Sequence, residues 1–291
     1  MKEVRYRSIL MVLVIIVTVV WYVVSVNIPH NRIVFINVGQ GDAAFIETVD
    51  GFQILIDTGF DSRAVSALAS ILPPWDKSID LVILTHLHAD HVGGLRDISN
   101  GYKITKVLVN VQNYDSSIVA ELKEVLSRDS IGSVEEFVAG ESIIIPSGVT
   151  LNAIWPKSSY ITSREVSTDD INDTSIVVVL DMFGVKTLFS GDLELGREEF
   201  AHLLNIIGDI DILKVPHHGS AFSVSNRSLD WLQPEVAIVS VGENSYGHPH
   251  SDALGLMQRY GVNVYRTDVY GNVTIDVKES DSSYRTVKQY D

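Results

Sequence analysis

The chain has 291 residues, no cysteine, and a formal net charge of −15 from 22 basic and 37 acidic side chains. At 46% hydrophobic it is too apolar for intrinsic disorder, and without cysteine it has neither disulfide staples nor thiolate metal sites. The length suits one large domain or two small ones. Ile9 to Val26 reads ILMVLVIIVTVVWYVVSV, 18 residues without a charge. As a helix it measures about 27 Å, close to the roughly 30 Å of a bilayer's hydrocarbon core. Trp21 and Tyr22 stand near one end, where interfacial aromatics collect. Lys2, Arg5 and Arg7 precede the run, so the positive-inside rule keeps the N-terminus cytoplasmic and exports the remainder. No small-residue cleavage site follows, which favours a retained anchor over a signal peptide. The expectation is a single-pass cell-membrane protein. Residues 1–26 form its tail and transmembrane helix, 27–32 a linker, and 33–291 an extracytoplasmic domain. Beyond residue 26 the chain carries 19 basic and 36 acidic residues, net −17. So acidic a surface opposes tight, nonspecific binding of long nucleic acid.

Strands are predicted at 33–38, 43–49 and 52–57, with a turn at Asp50-Gly51. Asp61 or Ser62 caps a helix that Pro73-Pro74 stops. The continuous apolar run at 81–85 reads as a buried strand, followed by a helix from about Gly93 and a strand at 106–111. A helix over 116–128 carries an apolar face of Ile118, Leu122, Val125 and Leu126. Strands recur at 143–145, 149–154, 175–181 and 185–190, then a helix at 196–207. The last third alternates strands at 210–214, 236–241, 263–266 and 272–277 with a helix at 251–260. Two face-to-face sheets with helices outside accommodate this order.

Seven of the nine histidines are clustered: His86, His88 and His91 in the run HLHADH, then His217-His218, then His248 and His250 around a proline. The first group follows a buried strand, which aims side chains 86 and 88 the same way. With Asp90 and His91 where the chain turns into a helix, these residues suit two adjacent metal ions. Gly93-Gly94 lets that helix pack closely and removes bulk near the ions. His202 reads as a packing or surface residue, His30 as linker, and His250 as a cap of the next helix. His248 either holds its own loop or touches substrate.

THLHADH resembles the H-x-H-x-D-H signature of the metallo-β-lactamase superfamily. NVGQGDA (37–43), ILIDTG (54–59), FSGDLE (189–194), LKVPHHGS (213–220), SVGENSYGHPH (240–250) and YRTDVYG (265–271) resemble, in order, the C-terminal hydrolase domain of ComEC competence proteins. The resemblance spans roughly residues 33–277 and implies an α/β fold, an αββα metallo-β-lactamase-like sandwich with two divalent ions, Zn or Mn, at one edge. It implies that His86 and His88 hold the first ion, that Asp90 and His91 hold the second, and that Asp192 bridges both. One of His217 and His218 completes the second site, with His218 favoured and its neighbour facing substrate. Asp57 matches a carboxylate that orients a ligand. Gln40 and Asp42 either form a tight turn or face the cleft.

The sequence departs from the broad superfamily because no histidine lies between His91 and Asp192. Asn172-Asp173-Thr174-Ser175 stands there instead, which leaves the first site three protein ligands and more open positions. Asn37 replaces an aspartate frequent in the subgroup. The constellation implies a hydroxide bridging the two ions that attacks phosphorus or a carbonyl carbon. Asp90, His217 and His248 are the candidate catalytic groups, with His217 or His248 protonating the leaving alkoxide and Ser220 and Asn172 donating hydrogen bonds. The expected function is a membrane-anchored phosphodiesterase or nuclease. The phosphodiester partner would be nucleic acid, a cell-surface polymer or a head group; no protein partner is inferable. The alternatives are a phosphorylcholine-ester or lactone/lactam hydrolase, or a catalytically silent surface binding domain.

Overall fold

The computed structural model describes residues 2–26, 28–110, 116–162 and 171–288. Met1, Asn27, Val111 and the last three residues, all within segments expected above, lie outside them. The first sheet begins with β1 (Arg32–Phe35), β2 (Ala44–Glu47), β3 (Gln53–Ile56), β4 (Ser78–Leu84), β5 (Lys103–Val109) and β6 (Ile131–Glu135). The second takes β7 (Ser142–Ile144), β8 (Thr150–Trp155), β9 (Val177–Met182), β10 (Val185–Phe189), β11 (Ile212–Lys214), β12 (Val236–Val239) and β13 (Asn263–Arg266). The chain then returns to the first sheet with β14 (Val273–Lys278) and β15 (Ser283–Lys288). The spatial orders are β15-β14-β1-β2-β3-β4-β5-β6 and β13-β12-β11-β10-β9-β8-β7.

Alternation along the strands produces four layers. One side of each sheet, with Ile33, Phe35, Ile46, Val178, Leu180 and Phe189 among its residues, packs into a common core between the sheets. The opposite side of the first sheet buries Val34, Phe45, Leu55 and Val82 against helices 63–71, 95–101 and 117–126. The second sheet likewise packs Val179, Leu188, Leu213 and Val239 against helices 201–207, 226–232 and 251–259. The expected αββα sandwich is what forms, because strands buried on both faces need an apolar partner on each.

Strands β3 to β6 run parallel, as do β10 to β13. Their C-terminal ends therefore share one edge, where ligand-holding loops of α/β sheets gather. Helix 63–71 ends before Pro73 with Leu72 extended, as a residue close to a proline pair must be. Its Ser62 cap makes no side-chain hydrogen bond to the helix.

Among the described residues, β6, β15, the helices at 158–162, 226–232 and 267–270 and the 3₁₀ turns at 172–174 and 216–219 escaped the sequence reading. The expected helix at 196–207 is a short 3₁₀ turn at 198–200 followed by α-helix at 201–207. The helix after the histidine run starts earlier than expected, with one turn at Ala89–Val92 and then Leu95–Gly101.

At the N-terminus, Lys2–Val26 is one helix of 25 residues. Its side chains are described for residues 6–19 and 21, and those from Ile9 to Val17 are exposed. Among the described residues no helix is long and apolar enough to cross a membrane. The expected transmembrane character of residues 1–26 is therefore not shown.

Candidate metal centre

Among the described residues, six loops meet at the shared sheet edge, the one after β12 bringing Ser240, Tyr246 and His248. The loop after β1 brings Gln40 and Asp42, and the end of β3 brings Asp57. The end of β4 brings His86 to His91, that of β10 brings Asp192, and that of β11 brings His217-His218. The His86 Nε2 and His88 Nδ1 atoms approach to 3.1 Å, so residues 86 and 88 do point the same way. Asp192 Oδ2 lies 3.9 Å from His86 Nε2 and 3.6 Å from His218 Nε2, while its Oδ1 lies 3.4 Å from His91 Nε2. Asp90 Oδ2 is 3.2 Å from His218 Nε2 and 4.0 Å from His91 Nε2. Among the described residues two donor sets face the cleft, His86, His88 and Asp192 in one and Asp90, His91 and His218 in the other, each with ligand atoms within 4.8 Å of one another; Asp42 lies as close to Asp57 and His91, and to Asp192 and His218. Asp192 faces both donor sets.

The backbone is bent to make this arrangement. His217 and His218 are consecutive left-handed residues, with φ of 47° and 51°. That conformation costs a non-glycine residue about 1–2 kcal/mol, and here it turns the two rings to different tasks. His218 is buried, its Nδ1 donating to Ser240 O at 2.9 Å and its Nε2 aimed at Asp90 and Asp192. His217 is partly open to the cleft. Its Nδ1 faces Glu194 Oε1 at 3.1 Å, and its Nε2 lies 3.9 Å from Asp192 Oδ2 and 3.4 Å from Asn172 Nδ2. The structure thus places His218 with the donor sets and His217 beside them.

Asp57 also sits at positive φ, 58°. Three hydrogen bonds hold it there: from Thr85 N and Thr85 Oγ1, both at 2.7 Å, and from His91 Nδ1 at 2.8 Å. A carboxylate on Nδ1 fixes the ring and presents Nε2 to an ion, the usual support of an imidazole ligand. Asp42 does not face the cleft. It is buried beneath His218, 3.4 Å from its Nδ1, and accepts a hydrogen-bonded ion pair from the buried Lys214 ammonium. Asp57 and Asp42 therefore approach His91 and His218 at their Nδ1 atoms.

The charges balance through proximity. Burial drives the His86 and His88 rings toward their neutral, ligating form, and His91 adds to the push. Burial also opposes charge on His91 and His218, but there the carboxylates win. Asp192 and Asp57 raise His91 well above the ordinary range, and Asp192 and Asp42 raise His218 to about 10. Asp192, which burial would raise, is held far below the carboxylate range by His218 and His91. Three buried atoms turned toward one another, His91 Nε2, His218 Nε2 and Asp192 Oδ1, have no hydrogen-bond partner. Leaving such atoms unpaired costs about 1–3 kcal/mol each. Imidazole nitrogens and carboxylate oxygens facing one point fit Zn²⁺ or Mn²⁺.

A cleft of about 320 Å³ opens over these groups, lined by Gln40, His88, Ala89, Asp90, Asp192, His217, His218, Tyr246 and His248. Gln40 and His248 thus reach the cleft. Ser220 does not; its hydroxyl donates to Glu194 and is spent positioning that carboxylate. Asn172 meets His217 instead of lining the cleft. Gly93 and Gly94 matter for a different contact than expected. A Cβ there would lie 2.4 Å from Phe60 O and 2.1 Å from Thr58 O, so they let the turn dock on the 58–61 loop, not on the ions' side. His250 caps helix 251–259, accepting from Asp252 N, and His202 packs edge-on to Trp155.

Sequence reasoning missed Glu194, Lys214 and Tyr246. Glu194 stands two residues beyond Asp192 in FSGDLE, a spacing that could have exposed it. Lys214 was hidden inside an apolar strand.

The metallo-beta-lactamase superfamily model matches residues 36–243. The chain belongs to that superfamily. It is 28% identical over 288 residues to ComE operon protein 3 of Bacillus subtilis (strain 168), covering 90% of this chain and 35% of the relative. It is 30% identical over 255 residues to Recombination protein 2 of Haemophilus influenzae, covering 85% of this chain and 29% of the relative. The chain thus spans about a third of the length of these relatives. Among solved structures, Zn(2+)-bound PqqB from Methylobacterium extorquens matches with a TM-score of 0.55 at 14% identity, over 84% of this chain and 100% of that one. A mutant of the β-hydroxylase CmlA matches at 0.53 and 15%, over 86% and 54%. Those two likenesses speak for the fold. The resemblance to ComEC-like proteins read from the motifs agrees with the curated relatives, and the site has the make-up of a metal-dependent hydrolase.

Proposed function

We propose that the chain is a two-metal phosphodiesterase of ComEC-like type, cleaving nucleic acid outside the cytoplasm while its N-terminal helix holds it at the membrane. The observation that carries this reading is the convergence of two donor sets on Asp192, with a non-ligand imidazole, His217, fixed beside them by Glu194. His86, His88 and Asp192 would hold one ion, and Asp90, His91, His218 and Asp192 the other. Divalent ions held there supply Lewis acidity and an activated water. The protein does the rest. Asp57 and Ser240 O orient His91 and His218 from behind. Glu194 engages His217 Nδ1, leaving Nε2 turned to the centre to deliver a proton to a leaving alkoxide. His248, whose ring lies 5.2 Å from that of His217, closes the same wall.

One feature supports a polymer in solution over head groups of the same membrane. β1 starts at Arg32, just after the N-terminal helix and linker, and runs toward the loop that carries Gln40 and Asp42. The cleft therefore lies at the edge opposite the one where the chain enters β1. The exposed apolar side chains from Ile9 to Val17 support membrane attachment of that helix.

The test uses the full chain purified in detergent and loaded with Zn²⁺ or Mn²⁺. Cleavage of a chromogenic phosphodiester and of single-stranded DNA is expected, with no turnover of a chromogenic lactam or a lactone. Spheroplasts expressing the chain should cleave an added, impermeant strand. Preference for a phosphocholine ester, a lactone or the lactam would overturn the substrate class. Protein that takes up no metal and cleaves nothing would point to a silent binding domain. Cleavage only after lysis of the spheroplasts would contradict the extracytoplasmic placement.

A further inference from the structure

One cleft wall carries an aromatic side chain that the hydrolytic chemistry does not use. Tyr246 is 75% exposed although it lines the cleft. Its ring lies 5.9 Å from that of His248 at an interplanar angle of 34°, and His248 in turn meets His217 at 5.2 Å. The three rings form a file from the cleft rim to the donor sets. The loop that presents Tyr246 is braced by Asn244. The Asn244 Oδ1 atom accepts from Tyr246 N and His248 N, both at 3.1 Å, and its Nδ2 donates to Gly242 O and His248 O at 2.9 and 2.8 Å. A large apolar ring held out to solvent by a closed hydrogen-bond net is preorganised for a flat partner. Among the described residues, no lysine or arginine lines the cleft. The imidazoles of the centre serve the scissile phosphate, and the chain's overall charge of −15 repels the rest of a phosphodiester strand. Uncharged contacts add affinity beyond the scissile phosphate, and base-on-aromatic stacking is a strong one for a single strand.

From this arrangement we infer that Tyr246 is the stacking platform for a nucleobase beside the scissile phosphate, which makes single-stranded nucleic acid the substrate class. The inference rests on the phosphodiesterase reading above. Binding on this platform depends little on salt, because few phosphates are neutralised; each neutralised phosphate would add about −0.7 to the slope of log K against log salt.

The test compares a short oligothymidylate with the same strand made abasic, on the metal-loaded full chain and on Tyr246→Ala, Tyr246→Phe and Tyr246→Trp. Cleavage is read as kcat/KM, and binding by fluorescence anisotropy. Removing the bases is expected to weaken the wild type about 5- to 100-fold and to cost Tyr246→Ala little further. The loss should sit in KM, and the phenylalanine and tryptophan variants should keep the preference. Equal losses on both strands in Tyr246→Ala, or an unchanged preference for the base-bearing strand, would overturn the inference. If neither strand is cut, the phosphodiesterase reading fails, and anisotropy with the same variants still decides whether Tyr246 binds bases.

Discussion

Replacing Asp192 with alanine is expected to lower kcat/KM for phosphodiester cleavage by at least about a thousandfold, with bound metal lost as well. The argument is geometric. Among the described residues, Asp192 is the one carboxylate within 4.0 Å of His86, His91 and His218 together, and it is buried at 2% exposure. Without it the first set keeps only His86 and His88, too few donors for a stable site. The second set loses the charge that offsets a cation among buried rings. Asp192→Asn keeps the size but not the charge, and should fail nearly as badly. Either variant keeping a tenth of the wild-type rate with full metal content would contradict the bridging role.

The second large effect concerns folding. Lys214 and Asp42 are a fully buried ion pair, with the Lys214 ammonium also donating to Val215 O at 3.1 Å. Lys214→Met preserves the volume but leaves the Asp42 carboxylate buried without its cation. Breaking a buried pair from one side costs about 3–5 kcal/mol, which in a domain of this size lowers Tm by roughly 10 °C. Adding Asp42→Asn removes the stranded charge and should restore at least half of the loss. Thermal unfolding of the full chain in detergent, with chelator present, reads both. An unchanged Tm in Lys214→Met, or no recovery in the double variant, would show that the pair does not carry this load.

Much of the site was legible because the chain writes it in short local motifs. HLHADH follows a buried strand whose end fixes its direction, so the approach of His86 and His88 follows from strand geometry alone. The side of the site that is not local was harder to read. Asp42 looked like a turn residue or a cleft residue because Gly39 and Gly41 precede it; its actual partner, Lys214, is 172 positions away in an apolar strand. Ser220 looked free to meet substrate because Glu194, which takes its hydroxyl, comes from another loop.

The missed elements share a different cause. β15 is an edge strand reading SYRTVK, largely polar on a solvated rim, and β6 reads IGSVE with a glycine and mostly exposed residues. Neither presents the apolar run that marks an inner strand. The helix at 226–232 is short, and its signal is a capping box of Ser225 and Ser228 in place of a long apolar stripe.

The central claim is a pair of cations flanking one carboxylate, and anomalous X-ray scattering from crystals of the Zn²⁺-equilibrated chain tests it most directly. The account predicts two peaks about 3.5–4 Å apart, one against His86 and His88 and one against His91 and His218, with Asp192 between them. No peak at these side chains, or a single peak held without Asp192, would contradict it.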